Sequence, residues 1–184
     1  FDALIHTMST AGTGGFSNRD LSIGYFQNPG AEMVVLAFMF LFSLNFLFYF
    51  RLLRGEGRKA FANEELRVYT LVAIAASLMV ALEILPRYGQ FGTALRHAGF
   101  HVVSIMSSTG YATVDYTLWP QFSHLLLLML MMMGASSGST AGGIKVVRVI
   151  LLGKAAGREV SHTLFPRRVK VVTLDNKAVS EDIL

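Results

Sequence analysis

Two apolar runs have the length that a lipid bilayer demands of a helix, and a third is interrupted. Ala31 to Phe50 has one charge at its edge, Glu32, and one strongly polar interior residue, Asn45. A helix of about 20 residues, rising 1.5 Å per residue, reaches roughly 30 Å, the thickness of the hydrocarbon core. Leu66 to Leu85 is similar, with Arg67 near one end, Glu83 near the other and Pro86 following. Both predict transmembrane helices. The third run, Leu118 to Met133, stops at Gly134-Ala-Ser-Ser-Gly-Ser-Thr-Ala-Gly-Gly143. A further apolar stretch follows from Ile144 to Gly153, containing Lys145 and Arg148. The first half is short for a span and the two together are long, so one span broken in its middle is expected. Non-helical backbone at that depth is tolerated only where it is buried in protein or lines a water-filled cavity.

Shorter segments lie between these runs. Thr93 to Ser107 (TALRHAGFHVVSIMS) has a helical pattern but holds Arg96, His97 and His101, and Phe1 to Ser9 resembles the end of an equivalent segment. Each precedes a loop of small residues, Thr10 to Ser17 in one case and Ser107 to Thr113 in the other. The order is short helix, Gly/Thr loop, long helix, and then the same unit again with its preceding span. That is an internal repeat, with Gly15 and Gly110 as matching positions. Beyond it, VKVVTL predicts a short strand and AVSEDIL the start of another helix. The first residue is Phe1, and the chain reads as a piece of a longer protein.

Charge sets the orientation. Arg51, Arg54, Arg58, Lys59 and Arg67 surround the loop between the first two spans, and Lys145, Arg148, Lys154, Arg158, Arg167, Arg168 and Lys170 lie in and beyond the broken one. The opposite side has only Arg19, Arg87 and Arg96. The positive-inside rule puts the basic blocks in the cytoplasm and both Gly/Thr loops outside. Tyr116 and Trp119 then fall where an outer aromatic belt is expected. Only 15% of residues are charged, against 53% hydrophobic, and a soluble domain usually carries about a quarter charged. The net charge of +4 sits in blocks after apolar runs, without the interleaved aromatics of single-strand binders, so no nucleic acid is expected as a partner. With no Cys, disulfides and Cys-based metal sites are excluded.

The chemistry is expected in the loops. An isolated ion in hydrocarbon costs tens of kcal/mol by Born estimates, so a selective pore must replace the hydration shell with oxygen atoms. Backbone carbonyls do so when a loop turns them inward, and glycine adopts the backbone angles this needs. A short helix ending at mid-depth also aims its negative C-terminal end at the ion. Thr13-Gly14-Gly15-Phe16 and Ser108-Thr109-Gly110-Tyr111 fit this pattern. The plainer reading, two ordinary Gly/Ser turns between helices, does not account for their matching places in a repeat.

The order of short helix, loop and second span, with STAGTGGFS, SSTGYATVDY and GASSGSTAGGIKVVRV, resembles the Trk/Ktr/HKT superfamily of potassium transporters, nearest to the bacterial Trk-type membrane subunit. The resemblance covers essentially the whole chain. It implies an all-α integral membrane fold of potassium-channel-like M1–P–M2 repeats, with re-entrant pore helices and a broken transmembrane helix. Residues 1–53 would be the end of repeat two, 54–65 a cytoplasmic loop, 66–158 repeat three, and 159–184 a cytoplasmic link toward repeat four. Potassium uptake would run through a filter of backbone carbonyls at Thr13, Gly14, Gly15, Phe16, Ser108, Thr109, Gly110 and Tyr111, which bind the ion. The gating loop would comprise Gly134, Ala135, Ser136, Ser137, Gly138, Ser139, Thr140, Ala141, Gly142 and Gly143, with Lys145 after it. The resemblance further implies a multi-pass protein of the cell inner membrane, a homodimer, membrane lipid, a cytoplasmic nucleotide-binding regulatory subunit, and no organic cofactor. Filters one and four are missing from the chain, which alone should not conduct.

Other readings have less behind them. A secondary transporter of another cation or small solute also uses broken helices, but does not require repeated helix–loop units ending on one side. A third reading, a noncatalytic anchor or assembly subunit, predicts that the Gly/Ser loops tolerate large side chains. Gly134 to Lys145 lacks the GK[ST] ending of a phosphate loop. His97 and His101 share a helix face, yet no third metal ligand is evident, and packing at the pore-helix base is expected. His6 and His124 support no stronger claim. Glu83 and Asp115 are candidates for attracting cations at the outer mouth, and Asn45 for a bond to a neighbouring helix. No nucleophile–base pair stands out, and no enzyme is expected.

Overall fold

The structure, a computed structural model, describes residues 1–164, 173–175 and 177–178 of the chain, and helices dominate them. A short helix α1 (Asp2–Ala11) leads through a Gly-rich loop and a 3-10 turn (Ser22–Phe26) to α2 (Pro29–Phe42), α3 (Phe46–Leu53) and α4 (Gly57–Phe61). Then come α5 (Glu64–Tyr88), α6 (Phe91–Met106), a 3-10 turn (Tyr116–Leu118), α7 (Gln121–Met133) and α8 (Val146–Leu164). Two short strands, β1 (Thr173–Leu174) and β2 (Lys177–Ala178), pair antiparallel, with Thr173 opposite Ala178. Of the strand expected in VKVVTL, Thr173 and Leu174 lie in β1, and residues 169–172 lie outside the described residues. The helix expected over 178–184 lies, beyond Ala178, outside the described residues.

Local chemistry fixes the helix ends. The Asn28 side chain accepts from the amides of Gly30 and Ala31, with Pro29 at the first helical position of α2, where its missing N–H costs nothing. The Asn63 side chain caps α5 by accepting from Leu66, and Gly89 ends the helix in the left-handed region, the usual glycine stop. Pro86, expected after the second span, lies inside the last turn of α5. There the lost backbone bond affects only a helix end.

The first span differs from expectation. Instead of one helix over 31–50, α2 and α3 meet at a 90° bend across Ser43, Leu44 and Asn45. The Ser43 hydroxyl bonds back to the Met39 carbonyl at 2.5 Å, and the Asn45 side chain accepts from the Leu47 amide to start a new helix. Short polar side chains that compete for backbone groups break helices in this way. Among the described residues, α5 is the one helix long and apolar enough to cross a membrane by itself, and α2 with α3 passes the same test as a pair.

Helix α5 packs chiefly on α6. Ala73, Ala76 and Ala81 of α5 and Ala94 and Ala98 of α6 are buried there, small residues that let the backbones approach. A second cluster, Ile23, Met39, Phe100, Val103 and Tyr111, joins the first repeat unit to α6. On the far side of α5, Leu71, Ile74, Leu78 and Leu82 are exposed in a stripe. Leaving such side chains in water forgoes roughly 1.5–3 kcal/mol each, so the face suits a bilayer or further protein. Trp119, expected in an aromatic belt, is instead 4% exposed. Its ring lies 4.9 Å from that of His101, and its indole N–H donates to the Tyr88 hydroxyl at 3.4 Å, because the segment after the second Gly/Thr loop folds back over the α5–α6 junction.

Candidate ion-conduction site

Helices α1 and α6 each end one residue before a loop with the same backbone pattern. Thr13 and Gly15 have φ of 49° and 68°, and Ser108 and Gly110 have φ of 58° and 83°. The intervening Gly14 and Thr109 are not left-handed. Left-handed backbone is costly for any residue but glycine, about 1–2 kcal/mol, so two non-glycine residues held there mark a conformation imposed by the surroundings. The amides are tied down: Gly14 N–H donates to Ser9 O at 2.8 Å, Thr13 N–H to Thr10 O at 3.1 Å, and the Thr109 and Gly110 amides both donate to Ser104 O. The carbonyls of Thr13, Gly14, Gly15, Ser108, Thr109 and Gly110 accept no hydrogen bond from the described residues.

The two loops touch. A Cβ built on Gly15 would fall 1.7 Å from the Thr109 carbonyl oxygen and 3.6 Å from Gly110 C. Gly15 is therefore glycine for two reasons, its left-handed φ and the neighbouring loop. At Gly110 a Cβ would meet nothing within 4 Å. Tyr111 and Phe16 hold matching positions but behave differently. Phe16 is exposed, whereas Tyr111 is buried, and its hydroxyl contacts the carbonyls of His6 (3.3 Å) and Phe16 (3.2 Å) across the repeat boundary. The Ser104 hydroxyl in turn donates to Tyr111 O at 2.7 Å. Tyr111 thus braces one loop against the other.

The histidines repeat as well. His6 Nδ1 faces Asp2 O at 2.7 Å, and His101 Nδ1 faces His97 O at 2.9 Å. Their other ring nitrogens reach the segments following the loops, at Ser17 Oγ and Val114 O. His97 Nδ1 lies 3.0 Å from Thr113 Oγ1. These rings hold the loop exits.

The segment between α7 and α8 is a closed loop docked on the bend of the first span. Its stem is a backbone contact: a Cβ on Gly143 would fall 2.7 Å from Gly134 Cα, and Ile144 N–H donates to Met132 O while Val146 N–H donates to Ala135 O. Ser136 N–H donates to Ser43 O, and Phe46 N–H donates to Gly138 O, both at 3.2 Å. Each interruption supplies partners for backbone groups that the other leaves open, the condition for irregular backbone at membrane depth. At its far end the loop reaches the second Gly/Thr loop, where a Cβ on Gly142 would meet Ser108 Oγ at 3.4 Å. Lys145 has a φ of 78°, and its ammonium donates to Ala141 O.

Known proteins resemble this chain along its whole length. The family model described as "TrkH: Cation transport protein" matches residues 66–184. The chain belongs to the TrkH family. It is 36% identical over 190 residues to the Trk system potassium uptake protein TrkH of Salmonella typhimurium, covering 100% of this chain and 39% of that protein. To the Trk system potassium uptake protein TrkG of Escherichia coli it is 33% identical over 187 residues, covering 100% and 38%. The crystal structure of the potassium transporter TrkH from Vibrio parahaemolyticus superposes with a TM-score of 0.90 at 31% identity, covering 97% of this chain and 39% of that one. The chain thus spans well under half the length of these relatives.

Other polar groups of this TrkH-family chain surround the loops. Arg19, Arg87 and Arg96 all have partners: Arg19 pairs with Asp2 at 2.6 Å, Arg96 lies 3.2 Å from Glu32, and Arg87 donates to Leu118 O. Glu83, expected near the outer mouth, accepts from the Ser123 hydroxyl and so links α5 to α7. The bonds that Asp115 accepts from the Thr117 hydroxyl and amide hold its carboxyl below the ordinary value, with a smaller contribution from the nearby Arg87 charge. Sequence reasoning missed Ser43, Ser104 and Glu65. Ser43 and Asn45, two short polar residues inside an apolar run, are the signal that would have located the bend.

Proposed function

We propose that the chain forms part of a potassium-uptake pore, contributing two of the four loops that select the ion. The observation that carries this is the pair of touching loops, each with alternating hands and unpartnered carbonyls. Six carbonyls without a partner among the described residues lie on two loops that touch at Gly15 and Thr109, each loop following a helix C-terminus, and a dehydrated cation would repay their open lone pairs. The potassium specificity is inferred from relatives named as potassium uptake proteins.

In this reading α1 and α6 are re-entrant pore helices, and α7 and α8 are one membrane span broken by residues 134–143. The loop, made of Gly, Ala, Ser and Thr, gates the pore from below the filter. Residues 1–53 end repeat two, 54–65 face the cytoplasm, 66–158 form repeat three, and 159–184 lead toward repeat four. Helix α4 and the first two residues of α5, Glu64 and Glu65, fall within the 54–65 stretch. The full-length protein sits in the inner membrane among lipid, dimerises, and meets a nucleotide-binding regulatory subunit on its basic side. Ion passage requires no bond chemistry, and no residue has a catalytic role.

The test is ion flux through the full-length protein reconstituted in vesicles. Replacing Gly110 by Phe should abolish discrimination of potassium from sodium. Retained selectivity at normal flux rejects the filter assignment.

A further inference from the structure

Glu65 stands in the first turn of α5 beside Glu64, and the two acids behave differently. Glu64 is partly exposed and pairs with Lys154 at 2.6 Å, an ordinary arrangement for a helix N-terminus. Glu65 is 5% exposed and turns inward. Its carboxylate accepts from the Ser137 amide at 2.5 Å, and the Asn45 side chain and the Val147 backbone amide face the same group. No Lys or Arg pairs with it among the described residues. A buried acid without a cation is expensive unless several donors converge on it. Here the donors come from the bend of the first span, the 134–143 loop and the start of α8.

We propose that Glu65 is a positioning residue that sets the resting place of the 134–143 loop, clamping it against the second Gly/Thr loop and the α2–α3 bend. This rests on the reading of that loop as a gate. The loop's other ties to the bend are neutral: Ser136 N–H to Ser43 O, Phe46 N–H to Gly138 O, and a long Thr140 hydroxyl bond to Phe42 O at 3.4 Å. Bonds to an ionised carboxylate are shorter and about twice as strong as neutral ones. Moving the loop must therefore break the Glu65 contact, the one charged tie that holds it to α5 among the described residues. A helix-start acid with only a structural role has no reason to be tied to the loop.

The test uses the full-length protein in proteoliposomes, with the variants Glu65→Gln and Glu65→Asp. Two readouts are taken per folded protein: resting rubidium uptake with its potassium-over-sodium preference, and the rate at which a water-soluble thiol reagent modifies Ser136→Cys. Ser136 is 1% exposed at rest, so labelling reports departure of the loop. Glu65→Gln should raise labelling by roughly tenfold, the scale of one lost charge-assisted bond, and raise resting uptake with selectivity unchanged. Glu65→Asp, which keeps the charge but stops one methylene short, should fall between, and decides the matter if the Gln variant does not fold. Unchanged labelling overturns the role of Glu65. Faster labelling with unchanged uptake overturns it differently, by showing that the loop is not the gate.

Discussion

Gly15 and Gly110 occupy matching positions, yet the structure predicts very different outcomes for the same substitution. In Gly15→Ala the new methyl would lie 1.7 Å from the Thr109 carbonyl oxygen, inside the 3.0 Å that such atoms essentially never breach. The obstacle is backbone, which has no rotamer to adopt. Displacing it resembles overpacking, typically about 1–3 kcal/mol, and the left-handed φ adds roughly 1–2 kcal/mol. Gly110→Ala faces open space and carries only the second cost. Gly15→Ala should therefore be the more destabilising by roughly 1–3 kcal/mol, with the loss concentrated where the loops meet. The assay is paired: thermal unfolding of the full-length variants in detergent, and rubidium uptake with sodium competition in vesicles. Gly15→Ala should lose uptake or selectivity, while Gly110→Ala should keep measurable selective uptake. If Gly110→Ala were the more damaging, or Gly15→Ala were silent, the inferred contact between the loops would be wrong.

Three further outcomes follow from the same geometry. Tyr111→Phe removes the hydroxyl that reaches the carbonyls of His6 and Phe16, at a cost of about 0.5–1.5 kcal/mol per bond, and should lower the unfolding temperature and relax selectivity together. Arg96→Ala removes the cation 3.2 Å from the buried carboxylate of Glu32, a loss of about 1–3 kcal/mol, and the double variant with Glu32→Gln should recover much of it; a double variant as unstable as Arg96→Ala would rule out the pairing. Asp115, its pKa lowered by the Thr117 hydroxyl and then the Thr117 amide, contributes stability that is fully present above its unfolded pKa and is lost only as pH falls through the lower folded value. Thr117→Val, which removes the hydroxyl bond and keeps the amide bond, should therefore shift the acid limb of stability against pH upward, part of the way toward the ordinary Asp value of 3.8, and an unmoved limb would show that the hydroxyl bond does not matter.

What the chain's sequence reveals, and what it conceals, has a physical pattern. Features set by local composition were legible: the short helices α1 and α6 before their Gly/Thr loops, the long apolar α5, and the Gly/Ser interruption after α7. The bend at Ser43–Asn45 was not, because an apolar run looks continuous when two short polar residues are weighed against twelve or more hydrophobic neighbours. The partner that makes the bend tolerable lies about ninety residues away, in the loop that donates Ser136 N–H to Ser43 O. Glu65 was hidden for a similar reason: an acid in a first helical turn is expected on dipole grounds alone, and only tertiary contacts distinguish it from Glu64. Trp119 was misplaced because an aromatic near a span end fits an interfacial belt equally well before its packing against His101 is known.

The account stands on peptide oxygens of the two touching loops taking the place of an ion's water. Anomalous diffraction from crystals of the full-length protein grown in rubidium tests this directly. Peaks should lie on the axis bordered by the carbonyls of Thr13 to Gly15 and Ser108 to Gly110, and should fade when sodium replaces rubidium. Ordered rubidium found only elsewhere, in protein that still transports it, would contradict the claim.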